Sequence, residues 1–204
     1  MTAPPPVAVL PAPFRSRTID VRGPLHFLEG GEGPPAILVH GLGGSHVNWL
    51  AVAPKLAERR RVLVPDLAGF GRTPPAGRRF DVESNARLLA DFHAAVVKEP
   101  AVVLGNSMGG LIGVIHAAEV PDAVTDLVLV NPSQPRSLAG MFDPLLAARL
   151  AVSSIPVLGQ WTMSRRAARL GPEGLVAEIL GLCCVDVKRI PASVYAAHVA
   201  IAHE

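Results

Sequence analysis

The chain has few cysteines, few aromatic residues and little net charge, and each of these shortages argues against a class of protein. The two cysteines, Cys183 and Cys184, are adjacent, so a disulfide framework is not expected and both thiols should be reduced, as in the cytoplasm. Aromatic residues make up 4% of the chain and the net charge is +2. No Lys/Arg cluster is interleaved with aromatics, so nucleic acid is not an expected partner.

Membrane and targeting segments are also not expected. Residues 100–118 carry no Asp, Glu, Lys or Arg and are long enough to raise the question of a membrane span. They contain Pro100, Asn106 and several glycines, however, and divide into a buried strand and a helix. Residues 1–14 hold five prolines and lack a basic start, so they do not resemble a secretion signal.

What the sequence does contain is a series of short apolar runs, each followed by a helical pattern. A hydrophobic fraction of 50% in 204 residues is enough for one large core. Continuous apolar runs separated by helices of ten or more residues predict an α/β fold, a mainly parallel sheet flanked by helices. The four runs are Ala36–Val39, Val62–Pro65, Ala101–Leu104 and Leu127–Val130. Ligands of such a sheet lie beyond the carboxyl ends of its strands.

Other segments predict smaller elements. Thr18–Val21 and Leu25–Leu28 are expected to be extended, with a turn at Arg22-Gly23-Pro24 between them. Helical spacing predicts helices over Asn48–Arg60 and Asp81–Lys98. Asp81 is expected to cap the second of these helices, and His93 to pack on its apolar face.

The most informative stretch is Gly105-Asn106-Ser107-Met108-Gly109-Gly110, between an apolar strand and a helical segment. Gly105-x-Ser107-x-Gly109 matches the nucleophile elbow, a sharp bend that holds a serine in strained geometry with its hydroxyl exposed. The residues two before and two after the serine crowd each other, so glycine is needed there. The alternative is a glycine-rich turn without chemistry, since so short a pattern recurs by accident.

A second glycine-rich stretch, His40-Gly41-Leu42-Gly43-Gly44-Ser45, follows the strand Ala36–Val39. It could be a dinucleotide loop with Asp66 at a suitable distance, but that pattern needs a third glycine where His46 stands. It fits better as a His-Gly loop of another kind, which is identified below by its resemblance to a known family. Asp66-Leu67-Ala68-Gly69-Phe70-Gly71-Arg72-Thr73, after the next strand, predicts a loop fixed by a structural Asp66–Arg72 pair.

These three ordered motifs resemble the α/β-hydrolase fold superfamily, in particular its capped serine hydrolases. The resemblance implies that Ser107 is the nucleophile and that the backbone amides of Leu42 and Met108 form the oxyanion hole. It also implies that His40, Gly41 and Asp66 are structural loop residues. His40 precedes the serine, whereas the family order is serine, acid, histidine.

The resemblance further suggests three regions. Residues 1–14 would be an irregular arm, 15–132 the hydrolase core through the sixth strand, and 133–204 a helical cap in which the chain ends before the last core strands. The cap would comprise Phe142–Val152, Arg165–Leu170, Glu173–Leu182 and Ala192–Ala202. Candidate residues for lining an acyl pocket, or for the core of the cap itself, are Leu145, Leu146, Leu150, Ile155, Val157, Trp161 and Met163.

The catalytic acid and histidine of the family are not found by sequence. His116 lies nine residues after Ser107 in the same helix, on the opposite face and about 13 Å along the axis. His198 and His203 fall in the last helix, Asn131 stands where some relatives keep an acid, and Asp143 and Asp186 are remote alternatives. The expectation is a core that lacks its last strands, which would leave the apolar edge Leu127–Val130 unpaired and favour self-association.

The sequence therefore predicts a hydrolase acting on a small ester or related carbonyl substrate through a serine. One alternative is a carbon–carbon bond hydrolase or a cofactor-free haloperoxidase, which use a similar site. Another is a non-catalytic remnant of the fold that binds a ligand or partner. A dehalogenase or epoxide hydrolase would have aspartate in place of Ser107. No metal or organic cofactor is expected.

Overall fold

The computed structural model describes residues 11–133 and 156–204, except for the side chains of residues 156–164, 166 and 167. The chain forms two compact units, one comprising residues 7–133 and Glu204 and the other residues 1–6 and 134–203. The predictions for residues 1–10, for the helix Phe142–Val152 and for all seven candidate pocket residues lie outside the described residues or side chains.

The first unit is built on a six-stranded sheet in the order β1-β2-β4-β3-β5-β6. Strands β3, β4, β5 and β6 are parallel, whereas β1 and β2 form an antiparallel hairpin whose second strand pairs with β4. The strands are β1 (Arg15–Asp20), β2 (Pro24–Gly30), β3 (Pro35–Val39), β4 (Arg61–Pro65), β5 (Ala101–Asn106) and β6 (Val124–Val130). The predicted α/β class with a mainly parallel sheet is confirmed.

The core of this unit lies on both faces of the central strands. All five residues of β3 are buried, as expected for an apolar run in the middle of a parallel sheet. The helices that pack on the sheet are α1 (Ala53–Leu56), α2 (Val82–Phe92) and α3 (Met108–Glu119). Phe92 and Ile112 bring α2 and α3 into the same core cluster as Leu63 and Val103. The predicted arm ends at Phe14, which is buried against Gly30.

Two helices differ from their predictions. The segment predicted as one helix over Asn48–Arg60 is a 3-10 turn at His46–Trp49 followed by the short α1. The proline at position 54 has no N–H to donate and therefore stands in the first turn of α1 rather than inside a longer helix. The helix predicted over Asp81–Lys98 is capped by the Asp81 side chain as expected, but it widens into a π-helical turn at His93–Val97.

The π-helical turn places His93 against His116 of α3. His93 Nδ1 lies 2.9 Å from His116 Nε2, and His93 Nε2 lies 2.9 Å from the carbonyl oxygen of Glu99. Because a carbonyl can only accept, His93 Nε2 carries the hydrogen, so in the neutral pair His93 Nδ1 accepts from His116 Nε2. His116 Nδ1 then carries no hydrogen. It is a buried acceptor without a partner among the described residues.

This pair gives the fold a predicted sensitivity to mild acid. Burial, and then the nearby His93, lower the pKa of His116 from 6.5 to about 4. Between these two values the unfolded chain binds a proton that the folded chain does not, so the free energy of unfolding falls as pH falls through this window. At about 1.4 kcal/mol per pKa unit, the loss should approach about 3 kcal/mol by pH 4.

Urea unfolding at pH 7.0, 5.5, 4.5 and 4.0 measures this loss. His116→Gln, whose amide can still donate to His93, should flatten the pH dependence. Part of the slope should remain in the variant, because burial also lowers the pKa of His40. Identical pH profiles for the wild type and His116→Gln would contradict the prediction.

The second unit is helical in its described part. Helix α4 (Pro156–Cys183) is interrupted at Gly171, whose φ of 64° is not helical, and this position lies between the predicted helices Arg165–Leu170 and Glu173–Leu182. Helix α5 (Ala192–His203) follows a 3-10 turn, and it contains His198 and His203 as predicted. Val176 and Leu180 of α4 pack with Val199 of α5. None of the described helices combines the length and the apolar character needed to cross a bilayer.

Candidate active site

Ser107 lies at the sharp bend between β5 and α3. Its φ of 53° and ψ of −117° are outside the helical and strand regions, a conformation that a non-glycine residue adopts only when its surroundings hold it there. The Ser107 amide donates to the carbonyl of Val130 at the end of β6, and the Ser107 carbonyl accepts from the amide of Ser133. The bend is thus fixed to the neighbouring strand on both sides of the serine.

The glycines around Ser107 are required by close backbone contacts. A Cβ on Gly105 would lie 2.6 Å from the Cα of Gly110, so β5 can meet α3 only with glycine at position 105. A Cβ on Gly109 would lie 2.5 Å from the carbonyl oxygen of His40. Glycine at both positions therefore lets the start of α3 approach its own strand and the loop after β3.

The loop after β3 lies directly against the nucleophile bend. A Cβ on Gly41 would be 3.1 Å from the Cβ of Ser107 and 3.2 Å from Oδ1 of Asn106. Leu42, the next residue, is 70% exposed, whereas Met108 at the first position of α3 is buried. The N–H groups in the first turn of a helix have no intrahelical acceptor, which leaves the Met108 amide free of one. The structure thus brings the predicted oxyanion loop and the predicted nucleophile together.

His40 is fully buried, and both of its ring nitrogens are engaged. The Leu67 amide donates to Nε2 at 3.0 Å, and Nδ1 lies 2.8 Å from the carbonyl oxygen of Gly41, to which it donates. Burial is the main reason that the pKa of His40 is lowered, so the ring is neutral at neutral pH. These contacts tie the loop after β3 to the loop after β4 and leave no nitrogen to accept a proton from Ser107.

Asp66, directly after β4, is the centre of a buried hydrogen-bond cluster. Its carboxylate accepts from Nδ1 of His26 at 2.8 Å, from Nδ1 of His46 at 2.9 Å and from the His46 amide at 2.7 Å. The amide of Arg72 donates a further bond at 2.9 Å, so the predicted Asp66–Arg72 contact is made by the backbone of Arg72. Burial alone would raise the pKa of Asp66, but the bonds from His26 and His46 outweigh it and lower the pKa.

Among the described side chains, one group is spaced closely enough to suit a metal ion. It consists of His26, His46 and Asp66, whose ligand atoms lie within 4.8 Å of one another. Each Nδ1 faces a carboxylate that can only accept, so each carries its hydrogen toward Asp66. A metal ligand must present a lone pair instead. The hydrogen-bonded arrangement therefore serves to cross-link β2 with the loops after β3 and β4.

Among the described residues, the Ser107 hydroxyl has its polar side-chain contact with Ser133, whose Oγ lies 3.4 Å away. His116 is on the far side of α3 from this hydroxyl, and His198 and His203 belong to α5 of the second unit. Asn131 follows β6 with a φ of 44° and supplies no acid. The predicted nucleophile and oxyanion loop are thus adjacent, while a base beside Ser107 is not found in residues 11–133.

Sequence reasoning missed His26, His46 and Ser133. His26 stands in the apolar stretch Leu25-His26-Phe27-Leu28, and a polar residue in a buried strand needs a partner, a signal that could have identified it. In the sequence, His46 stands out only as the residue that breaks a dinucleotide motif. Ser133 carries no local signal, because only the pairing of β6 with β5 places it beside Ser107.

A mixed sheet with a strained serine between a parallel strand and a helix defines the α/β-hydrolase class of fold. The sequence profile of the alpha/beta hydrolase fold family matches residues 34–171, more than half of the chain. The chain belongs to this family.

Several curated relatives are hydrolases. A pimeloyl-[acyl-carrier protein] methyl ester esterase of Aeromonas hydrophila is 36% identical over 129 residues, which are 57% of this chain and 49% of the relative. A 2-hydroxy-6-oxo-2,4-heptadienoate hydrolase of Pseudomonas putida is 39% identical over 105 residues, 50% of this chain and 38% of the relative. A haloalkane dehalogenase 2 of Mycobacterium bovis is 32% identical over 121 residues, 58% of this chain and 42% of the relative.

Solved structures that are similar to this chain include further hydrolases. A bacterial membrane phospholipase A, described as a virulence factor, is 28% identical with a TM-score of 0.69, covering 93% of this chain and 58% of that one. The serine hydrolase CarC of carbazole degradation is 26% identical with a TM-score of 0.66, covering 93% of this chain and 64% of that one. The chain spans about half or less of the length of the curated relatives it matches.

Proposed function

We propose that this chain carries the acyl-transfer site of a serine hydrolase that acts on a small carboxylic ester. Ser107 is the proposed nucleophile, and the backbone amides of Leu42 and Met108 are the proposed oxyanion donors. The observation that carries the proposal is the strained backbone of Ser107, with a φ of 53° at the start of a helix and against Gly41 of the loop after β3. Strain of this kind persists where the surroundings enforce it, and it is concentrated at functional sites.

The chemistry follows from these positions. The Ser107 oxygen bonds to the carbonyl carbon of the ester, whose oxygen becomes negatively charged and is stabilised by two backbone N–H groups near a helix N-terminus. The bond to the alkoxy group then breaks, and the proton given up by the Ser107 hydroxyl passes to the departing oxygen, so that a neutral alcohol leaves. Water then hydrolyses the acyl-serine, which releases the carboxylic acid and restores the Ser107 hydroxyl. The relative that is named as a methyl ester esterase supports a carboxylic ester as the substrate class.

Labelling with a fluorophosphonate probe tests the proposal. The wild-type chain should be labelled once, at Ser107, and Ser107→Ala should lose the label. Ser133→Ala is the matched control, because it removes the neighbouring hydroxyl and leaves the proposed nucleophile, so its label should remain. Folded protein that takes no label, or a label that persists in Ser107→Ala, would contradict the proposal and favour the non-catalytic, ligand-binding alternative.

A second candidate is hydrolysis of a carbon–carbon bond. It is favoured by two relatives, 39% and 38% identical, that are named as hydrolases of 2-hydroxy-6-oxo-dienoic acids. The same nucleophile and oxyanion donors would serve either reaction. Turnover of p-nitrophenyl acetate and of a 2-hydroxy-6-oxo-dienoate, each compared with Ser107→Ala, distinguishes the two substrate classes.

We also propose that the exposed edge of β6 mediates self-association. In the described part of the chain β6 pairs only with β5, and Val128, Leu129 and Val130 are 43%, 41% and 42% exposed. Unpaired apolar strand edges are templates for pairing with another chain, and an edge lysine suppresses such pairing.

At micromolar concentration the 21.4 kDa chain should therefore elute from a sizing column as an oligomer. Leu129→Lys should shift it toward the monomer, whereas Val114→Lys, at an equally exposed position on α3, should not. A monomeric wild type would contradict this.

The free thiols of Cys183 and Cys184 support a cytoplasmic location for the protein.

A further inference from the structure

A small pocket lies where the turn between β1 and β2 and the loop after β4 meet helix α2. Its volume is about 240 Å³. Sites for drug-sized ligands occupy about 300–1,000 Å³, so this pocket suits a single chemical group rather than a large molecule. The charged side chains that line it are four arginines and one aspartate: Arg22, Arg78, Arg79, Arg87 and Asp91.

Arg78 holds the two segments of the pocket wall together. This half-buried guanidinium donates to backbone carbonyls of both segments, at distances of 2.7–3.2 Å. The acceptors are Val21, Gly23 and Pro24 on the hairpin and Pro74 and Pro75 on the loop. Carbonyl oxygens carry no net charge, and none of the described carboxylates pairs with Arg78. The wall therefore holds a fixed positive charge that no ion pair cancels.

The other three arginines are exposed and can be reached from solvent. Arg87 on α2 has no hydrogen bond or ion pair with the described residues. Arg22 pairs with Asp91, Nε to Oδ2 at 2.8 Å, and Arg79 pairs with Asp81 at 2.7 Å. Arg22 and Arg79 each keep guanidinium N–H groups that no described residue accepts. Three guanidinium groups thus offer donors to a molecule that enters the pocket.

The charge of the pocket is positive. Its lining contains four cations and one anion. The sum stays positive when the two aspartates bonded to this region from outside the lining are included, Asp81 on Arg79 and Asp20 on the Gly23 amide. Like charges held close together repel each other, so an anion that binds among them is favoured.

We propose that this pocket is a second binding site, and that it takes a dianionic phosphate group, either free phosphate or a phosphate monoester. Guanidinium N–H groups match the spacing of phosphate oxygens, and a tetrahedral phosphate can accept from several arginines on different sides. A carboxylate has two oxygens in one plane and a single charge, so it would satisfy fewer of these donors.

This pocket is distinct from the Ser107 site. It adjoins β1 and β2, whereas Ser107 follows β5, and β4 and β3 lie between β2 and β5 in the sheet. Bound phosphate should therefore leave fluorophosphonate labelling of Ser107 unchanged. Conversely, a chain that is not labelled at Ser107 would still bind phosphate here.

Phenyl phosphate and phenyl sulfate are the main probes, because they have similar shapes and differ in charge. At pH 7.5 the phosphate carries nearly two negative charges, since its second pKa is about 6, and the sulfate carries one. Each is titrated into the complete chain while the guanidinium ¹⁵N–¹H resonances of Arg87 are followed. Phenyl phosphate should bind at least about tenfold more tightly, shift the Arg87 resonances and bind more weakly in high salt.

Inorganic phosphate is the third probe and distinguishes the two sources of the group. Binding as tight as that of phenyl phosphate would assign the site to free phosphate. Weaker binding would assign it to a phosphate monoester whose organic part adds contacts. Either result supports a phosphate site.

Three variants locate the binding. Arg87→Gln breaks no contact with the described residues, so it should fold normally and weaken phenyl phosphate binding about tenfold. Arg59→Gln is the matched control, because Arg59 is an exposed arginine at the opposite end of β4, and the affinity should stay within about twofold. Asp91→Asn removes the negative charge of the lining and should tighten binding about threefold, a gain that misfolding would not produce.

Equal affinities for phenyl phosphate and phenyl sulfate would overturn the proposal. The same holds if Arg87→Gln binds phenyl phosphate as tightly as Arg59→Gln does, or if the Arg87 resonances do not move. Weaker binding by Asp91→Asn would also overturn it, because the pocket would then not act through its positive charge.

Discussion

Asp66→Asn should lower the free energy of unfolding by about 3–5 kcal/mol, a large part of the stability of a small domain. The carboxylate is fully buried and accepts bonds from His26, from His46 and from the Arg72 amide. An amide presents one acceptor oxygen, and its NH₂ group would face donors. Each buried donor left without an acceptor costs about 1–3 kcal/mol.

Urea unfolding at pH 7 measures the effect, with Glu119→Gln as the control. Glu119 is an exposed carboxylate at the end of α3, so its neutralisation should change the free energy of unfolding by less than about 0.5 kcal/mol. The lowered pKa of Asp66 adds a check at low pH. Its contribution is complete above the ordinary pKa of 3.8 and is lost only as pH falls below it, so the wild type should lose more stability than Asp66→Asn below pH 3.8. A cost no larger than that of Glu119→Gln would contradict the structural role of Asp66.

Gly109→Ala should destabilise the fold by about 3 kcal/mol and also disable the candidate site. The added Cβ would lie 2.5 Å from the His40 carbonyl oxygen and 2.7 Å from the carbonyl carbon of Val39. Both atoms belong to backbone in the middle of the core, which cannot yield as a flexible side chain could. Relief would come from moving α3 away from the loop that holds Leu42, so fluorophosphonate labelling of Ser107 should slow at least about 100-fold in the folded variant.

Gly77→Ala is the matched control for this substitution. Gly77 has a φ of 76° and nothing within 4 Å of an added Cβ, so alanine there is opposed only by backbone conformation, at about 1 kcal/mol. Labelling of Ser107 should be unchanged in this variant. If Gly109→Ala were no more destabilising than Gly77→Ala, the close approach of α3 to the end of β3 would be wrong.

The parts of the fold that the sequence predicted well are those with strong local signals. The apolar runs of β3 and β5 are too continuous for a helix face, and Gly105-x-Ser107-x-Gly109 constrains the backbone because only glycine fits its two ends. The break at Gly171 follows from a glycine next to a proline in the same way. In each case the residues themselves restrict the backbone.

The parts that the sequence did not predict depend on distant contacts. Helical spacing over Asn48–Arg60 does not reveal that Trp49 and Ala53 are buried by separate turns. The π-helical turn at His93 accompanies a hydrogen bond to His116, 23 residues further along the chain. Likewise, His26 and His46 meet only because β2 pairs with β4, which brings both to Asp66.

We propose above all that the bend at Ser107 presents a reactive hydroxyl to a carbonyl carbon with two backbone donors in place. A crystal structure of the chain after reaction with a fluorophosphonate tests it most directly, because the phosphonyl oxygen occupies the position of the oxyanion. We expect a bond from phosphorus to Oγ of Ser107 and a phosphonyl oxygen about 2.7–3.1 Å from the amide nitrogens of Leu42 and Met108. An adduct on another residue, or a phosphonyl oxygen that contacts neither amide, would contradict it.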